Sequence, residues 1–224
     1  MLERVHLRYQ GSCVMLMEIN KEHGAYLGSA FLVHRDGYML TASHIIPKGA
    51  ELGIVPAPTE GPYTSLTMEH VYPIPVKVVS SDVDRGVALL KLIPELDISV
   101  PDHIMGNPAE TPLGTSLMTL GFSFAHYRLH GLIVLQSILS AKIATVNGTN
   151  ILLFDTRVHS GDIGGPVING TDERIIGIII GGFNPADMVR DEQREKLTLS
   201  TTISQAVSIE YGIELMLQAG IELL

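Results

Sequence analysis

The sequence predicts an all-β fold of barrels or sandwiches in two halves, followed by a C-terminal α-helix. Short runs of β-branched and aliphatic residues recur between turn signals along nearly the whole chain, the pattern of many short strands. Pro94, Pro101, Pro108 and Pro112 crowd the middle and divide the chain there. Beyond Ser204 the apolar residues recur at three- and four-residue steps, as on one face of a helix.

In the first half the β-rich runs are Cys13 to Ile19, Tyr26 to Val33, Tyr38 to Ala42, Val71 to Val79 and Val87 to Ile93. Asp36-Gly37 is a tight turn between two of them, and Pro47-Lys48-Gly49 and the stretch Pro56 to Pro62 punctuate a longer gap. In the second half the runs are Leu117 to Gly121, Leu132 to Val146, Ile151 to Asp155, Pro166 to Ile168, Ile175 to Gly181 and Leu197 to Thr202. Asn147-Gly148, Asn169-Gly170 and Asn184-Pro185 separate them. Ala206, Ile209, Ile213, Met216, Leu217 and Ile221 then follow Ser204, an N-cap type of residue, so a helix is expected over residues 205–219. The expected organisation is a first half over residues 1–105, a second over 106–204, and a helix with its tail over 205–224.

Composition removes several function classes. A chain of 224 residues with 46% hydrophobic content buries an ample core. Net charge is −9, and Arg190, Arg194 and Lys196 are the nearest thing to a basic cluster, so a nucleic-acid partner is not expected. No stretch reaches membrane-spanning length, and the first 20 residues are too polar and interrupted for a signal peptide. The single cysteine, Cys13, excludes an internal disulfide and fits a reducing cytoplasm, although a secreted chain without its leader would look the same.

Gly161-Asp162-Ile163-Gly164-Gly165-Pro166 is a glycine-built turn between two apolar stretches, which presents residue 163 and aims backbone N–H groups at one point. Residues 28–44, Gly-Ser-Ala-Phe-Leu-Val-His-Arg-Asp-Gly-Tyr-Met-Leu-Thr-Ala-Ser-His, resemble the hairpin of trypsin-like proteases that ends in the catalytic histidine, most nearly in the bacterial HtrA-type branch. Residues 82–92, Asp-Val-Asp-Arg-Gly-Val-Ala-Leu-Leu-Lys-Leu, are similar to that branch's Asp-x-x-x-Asp segment, in which the second Asp orients the histidine. The third match is Phe154-Asp155-Thr156 with the turn at 161–166 and Ile175 to Ile178. Together these imply two six-stranded antiparallel barrels with one cleft between them.

The resemblance places His44, Gly86 and Ile163 at the three triad positions, and only the histidine is the family's residue. In triad chemistry a serine hydroxyl attacks, histidine takes its proton, and aspartate fixes the imidazole tautomer. Isoleucine has no oxygen and no titratable proton. Loss of the nucleophile alone costs about a million-fold and loss of the carboxylate roughly ten-thousand-fold. Ser160 lies three residues too early for the turn apex, Asp84 lies about 6 to 7 Å further along the strand than position 86, and Asp82 matches the family's upstream, non-catalytic Asp. The implied function is therefore a catalytically inactive homologue, a pseudoprotease that binds a peptide or scaffolds a protein. The alternative is an active HtrA-like serine endopeptidase with a non-standard nucleophile such as Ser160.

Arg157 falls where the family places the floor of its specificity pocket, and there it would favour an acidic side chain or a terminal carboxylate. The plainer reading is an arginine reaching solvent. Gly161, Asp162 and Gly181 complete the expected peptide-binding set, with Gly177, Gly181 and Gly182 read as cleft strand rather than phosphate loop. His126 and His130 are four apart but lack further ligands, so both are expected to be solvated loop residues and no metal or cofactor is expected.

Overall fold

The computed structural model describes residues 2–19, 24–57, 63, 71–185 and 202–223. Among them the first half forms β1 (Cys13–Glu18), β2 (Ala25–His34), β3 (Tyr38–Ala42), β4 (Leu52–Pro56), β5 (Ile74–Asp82) and β6 (Val87–Leu92). The second forms β7 (Ser116–Gly121), β8 (Ile133–Ala144), β9 (Asn150–Phe154), β10 (Pro166–Asn169), β11 (Ile175–Gly182) and β12 (Ser204–Ser208). Helices α1 (Leu2–Tyr9) and α2 (Glu210–Gln218) lie at the two ends.

Each set of six closes into an antiparallel barrel. The first runs β1-β2-β3-β6-β5-β4, and the second, read from β7, runs β7-β8-β9-β12-β11-β10, so the two share one topology. Closure pairs the strands on both sides, except where one overruns its partner, as β11 does beyond Ile179 on its β10 side.

Strand alternation divides the apolar residues between three cores. Val14 and Leu16 of β1 point into the first barrel with Leu32, Met39, Ile54 and Leu90, whereas Cys13 and Met15 point the other way. Leu117, Leu139, Phe154, Ile176 and Ala206 fill the second barrel. The third core lies in the seam between barrels, where Phe31, Leu40 and Leu89 meet Leu120, Phe122 and Ile178. Strands buried on both faces read as near-continuous apolar runs, hence runs such as Cys13 to Met17.

Three elements depart from the sequence expectation. β4 was hidden by Gly53 and Pro56, yet it closes the first barrel by pairing Val14↔Pro56 through Glu18↔Leu52 with β1. The helix expected from residue 205 begins at Glu210, because Ser204–Ser208 is β12, paired with both β11 and β9. A helix there would leave the second barrel one strand short. The strand expected at Leu197 to Thr202 lies, except for Thr202, outside the described residues. At the N-terminus, Val5 and Tyr9 recur one helical turn apart and are buried, and the Tyr9 hydroxyl donates to Glu173 O at 2.7 Å.

Candidate functional site

His44 lies in a single 3-10 turn, Ser43–Ile45, that follows β3. Gly86 ends the turn that joins β5 to β6, and its carbonyl accepts the Ser43 N–H at 2.9 Å. Ala42 and Val87 face each other in the ladder, so positions 44 and 86 emerge side by side at one end of the first barrel.

Ile163 reaches the same place from the second barrel. Its carbonyl accepts the Ser29 N–H of β2 at 2.8 Å, and Ser29 in turn donates its hydroxyl to Gly161 O at 2.7 Å. Gly164 has φ +89, and a β-carbon there would stand 2.1 Å from Ser29 O and 2.2 Å from Thr41 Oγ1. Only glycine fits so close an approach. The contact places the 161–166 turn against the C-terminal end of β3, two residues before His44. The three positions named from the sequence thus converge on the seam between the barrels.

What surrounds them is mostly apolar. Among the described residues no hydrogen bond or ion pair reaches the His44 imidazole, which is exposed on one side. Partial burial lowers its pKa below the ordinary 6.5 by penalising the cation. Gly86 has φ +81, and a β-carbon on it would meet Ile180 Cγ2 at 3.9 Å. The space that a side chain at position 86 would enter is thus bordered by Ile180. Ile163 is half-buried, and its Cδ1 comes within 3.9 Å of where a β-carbon on Gly181 would be.

The acids nearest in sequence are committed elsewhere or free. Asp82 Oδ1 accepts the Arg85 N–H at 3.0 Å within the β5–β6 turn. Arg85 continues to Glu214 at 2.7 Å and lies over the Tyr211 ring, tying that turn to α2. Asp84 is exposed and has no partner among the described residues.

The turn before Ile163 adds a feature that the sequence did not reveal. Ser160–Asp162 forms a single 3-10 turn, and the Ile163 N–H points back to Ser160 O at a long 3.4 Å. That N–H is one of the donors the glycine turn would otherwise aim outward. Gly161 and Asp162, expected to touch a peptide, are both buried and hold the turn. Asp162 Oδ1 accepts the Ser123 hydroxyl at 2.6 Å and Oδ2 accepts the His159 N–H at 2.8 Å. Burial pushes this carboxyl up, against those hydrogen bonds, which favour the anion. Ser160 itself is exposed.

Arg157 is exposed and has no hydrogen bond or ion pair among the described residues, while Val158 beside it packs on the second barrel's core. His126 is exposed as expected, but His130 is not a solvated residue. It is 2% exposed and meets the Tyr26 hydroxyl of the first barrel through Nε2. No cluster of metal-ligating side chains occurs among the described residues.

A family profile described as a trypsin-like peptidase domain matches residues 28–178. Curated relatives include probable periplasmic serine endoproteases, DegP-like, from Pseudomonas fulva, 26% identical over 157 residues, and from Hahella chejuensis, 27% identical over 154. These matches cover 68% and 67% of this chain but only 28% and 29% of the relatives. Among solved structures, the HtrA-type protease AlgW with tripeptide aligns over 99% of this chain and 64% of its own, with TM-score 0.70 and 20% identity. The serine endoprotease from Yersinia pestis aligns over 97% and 66%, with TM-score 0.68 and 21% identity. The profile spans well over half the sequence and reaches into both barrels, and the chain belongs to the trypsin-like peptidase domain family.

Proposed function

We propose that this chain is a trypsin-like domain without peptidase activity, which holds an extended peptide or protein segment in the former cleft. Ile163 carries the proposal: the position that the family resemblance assigns to the nucleophile holds no hydroxyl or thiol. Three features support it. Position 86 offers no carboxylate, Ile180 borders the space where one would stand, and the Ile163 N–H is turned back to Ser160 O. An oxyanion arriving there would find one fewer donor, and a single such donor is worth about 10²–10³ in turnover.

The relatives' names favour the other reading, a working serine endopeptidase, in which the exposed Ser160 would supply the hydroxyl. That hydroxyl lies on the turn and not at its apex, and the imidazole has no carboxylate to fix its tautomer. Binding needs neither. Extended peptides pair with strand edges through backbone hydrogen bonds, and the AlgW structure was described with a tripeptide. Ile163 and Ile180 would offer an aliphatic side chain an apolar seat, and the exposed Arg157 would supply a cation for a carboxylate. Placement in the cytoplasm belongs to the same proposal and rests on Cys13; the relatives are named periplasmic, and fractionation of the source cells decides it.

Selection of a random peptide library on the protein tests the proposal, with Ile163→Asp as cleft variant. The expected result is recovery of intact peptides that the wild type binds and Ile163→Asp does not. Acidic residues among them should lose their advantage in Arg157→Ala. Cleaved peptides, or equal binding by wild type and Ile163→Asp, would contradict it.

A further inference from the structure

We propose a second binding site, on the outer wall of the first barrel, for a short acidic polypeptide segment. Lys77 of β5 and Lys91 of β6 are direct cross-strand partners. Like charges opposite one another in an antiparallel pair repel, so an unoccupied pair of this kind weakens the sheet. Arg35, in the β2–β3 turn, joins them around a concavity of about 610 Å³.

These cations are poorly neutralised. Among the described residues Arg35 and Lys77 make no hydrogen bond or ion pair, and Lys91 has only Tyr38, with Nζ 3.4 Å from its hydroxyl and 4.6 Å from its ring centroid. Two acids share the concavity. Asp36 faces His34 at 3.6 Å, and Glu95 makes no ion pair among the described residues. The wall therefore carries a local positive excess on a chain of net charge −9.

The chemistry selects the partner. The three cations are gathered around one concavity, an extent that matches a few residues of extended chain and not the long track of a phosphate backbone or the plane of an anionic membrane. Two carboxylates would stand opposite the lysine pair, which makes no ion pair among the described residues. In an extended segment, residues two apart lie on one face about 6–7 Å from each other, the spacing at which two acidic side chains can reach separate cations. Ile93 and Leu96 line the same concavity at 59% and 47% exposure and offer seats for aliphatic neighbours. A Glu-x-Glu segment with aliphatic flanks has all of these features. Tyr38 opens β3 and His44 follows its end, so this site is separate from the cleft and does not depend on what the cleft does.

A fluorescein-labelled nonapeptide with Glu-x-Glu between valines, and its Gln-x-Gln analogue, are titrated onto the full chain by fluorescence anisotropy at low salt. The acidic peptide should bind about tenfold more tightly, and Lys77→Gln/Lys91→Gln should abolish the difference. Ile163→Asp should leave it intact, which separates this site from the cleft. Lys77→Gln alone should weaken binding while the melting temperature of the free protein holds or rises, because cross-strand repulsion is relieved. A lower melting temperature would make Lys77 a structural residue and overturn the proposal. So would equal affinity for the Glu and Gln peptides, or binding of a single-stranded oligonucleotide or anionic phosphatidylserine vesicles as tight as that of the acidic peptide.

Discussion

Ile163 illustrates how far one residue can be read from sequence alone. His44, Gly86 and Ile163 could be named only through the resemblance to trypsin-like proteases, which rests on short local motifs, the hairpin that ends at His44 and the glycine turn among them. The 3-10 turn at Ser160–Asp162 was not legible, because the direction of one N–H depends on how the loop docks on Ser29 and Phe122. Nor was the φ of +81 at Gly86. That angle means Gly86→Asp does not simply restore a missing carboxylate: it adds strain of about 1–2 kcal/mol and sets the new group beside Ile180. The His44 pKa, lowered by burial from the ordinary 6.5, should appear as a titration midpoint below that value by NMR. A folded-state pKa below the unfolded one means that the unfolded chain binds the proton first. His44 and His130, both lowered, therefore cost stability as the pH falls from about 7 through the unfolded histidine value of roughly 6.5. Urea denaturation at pH 7 and pH 5.5 should show lower stability at the acid value, and His44→Gln should reduce the difference.

At the scale of elements, apolar periodicity located most strands but misassigned the one that closes the second barrel. Ala206 fits a helical stripe with Ile209 and Ile213, and it fits equally well as the inward residue of a short strand; only the partners β9 and β11 decide between them. Proline separates the two readings. In a helix capped at Ser204, position 206 would lie in the first turn, where proline is tolerated. In a central strand it breaks the ladder. Ala206→Pro should therefore lower stability by on the order of 3 kcal/mol, measured by urea denaturation. A milder change tests how α2 is anchored. The Tyr211 hydroxyl accepts the Asn150 N–H at 2.8 Å, so Tyr211→Phe should cost about 1 kcal/mol.

For the molecule as a whole, two β-rich halves were expected from the strand runs and the prolines between them, but the closing of each half into a six-stranded ring came only through family resemblance, and the order of strands around the ring from the structure. Barrel closure pairs residues far apart in sequence, such as Val14 with Pro56, and no local pattern encodes that. The joint between barrels is similarly non-local and depends on Gly164. Gly164→Ala should cost about 3 kcal/mol or more, since the methyl would overlap Ser29 O and Thr41 Oγ1. Gly148→Ala, at φ +81 with open space around it, should cost only about 1 kcal/mol of backbone strain. Similar losses for both variants would show that the two halves are not held together at this turn.

The most direct measurement on the central proposal is fluorophosphonate labelling of the full chain, which reports an activated serine whatever the substrate. Wild type, Ser160→Ala, Ile163→Ser and Gly86→Asp/Ile163→Ser should be compared under one set of conditions, with intact mass to identify any adduct. We expect no label on wild type or on either single variant, and at most a trace on the double variant, given the strain at position 86 and the inward N–H at position 163. Stoichiometric labelling of the wild type that Ser160→Ala removes would contradict the proposal and make this chain a serine hydrolase with a displaced nucleophile.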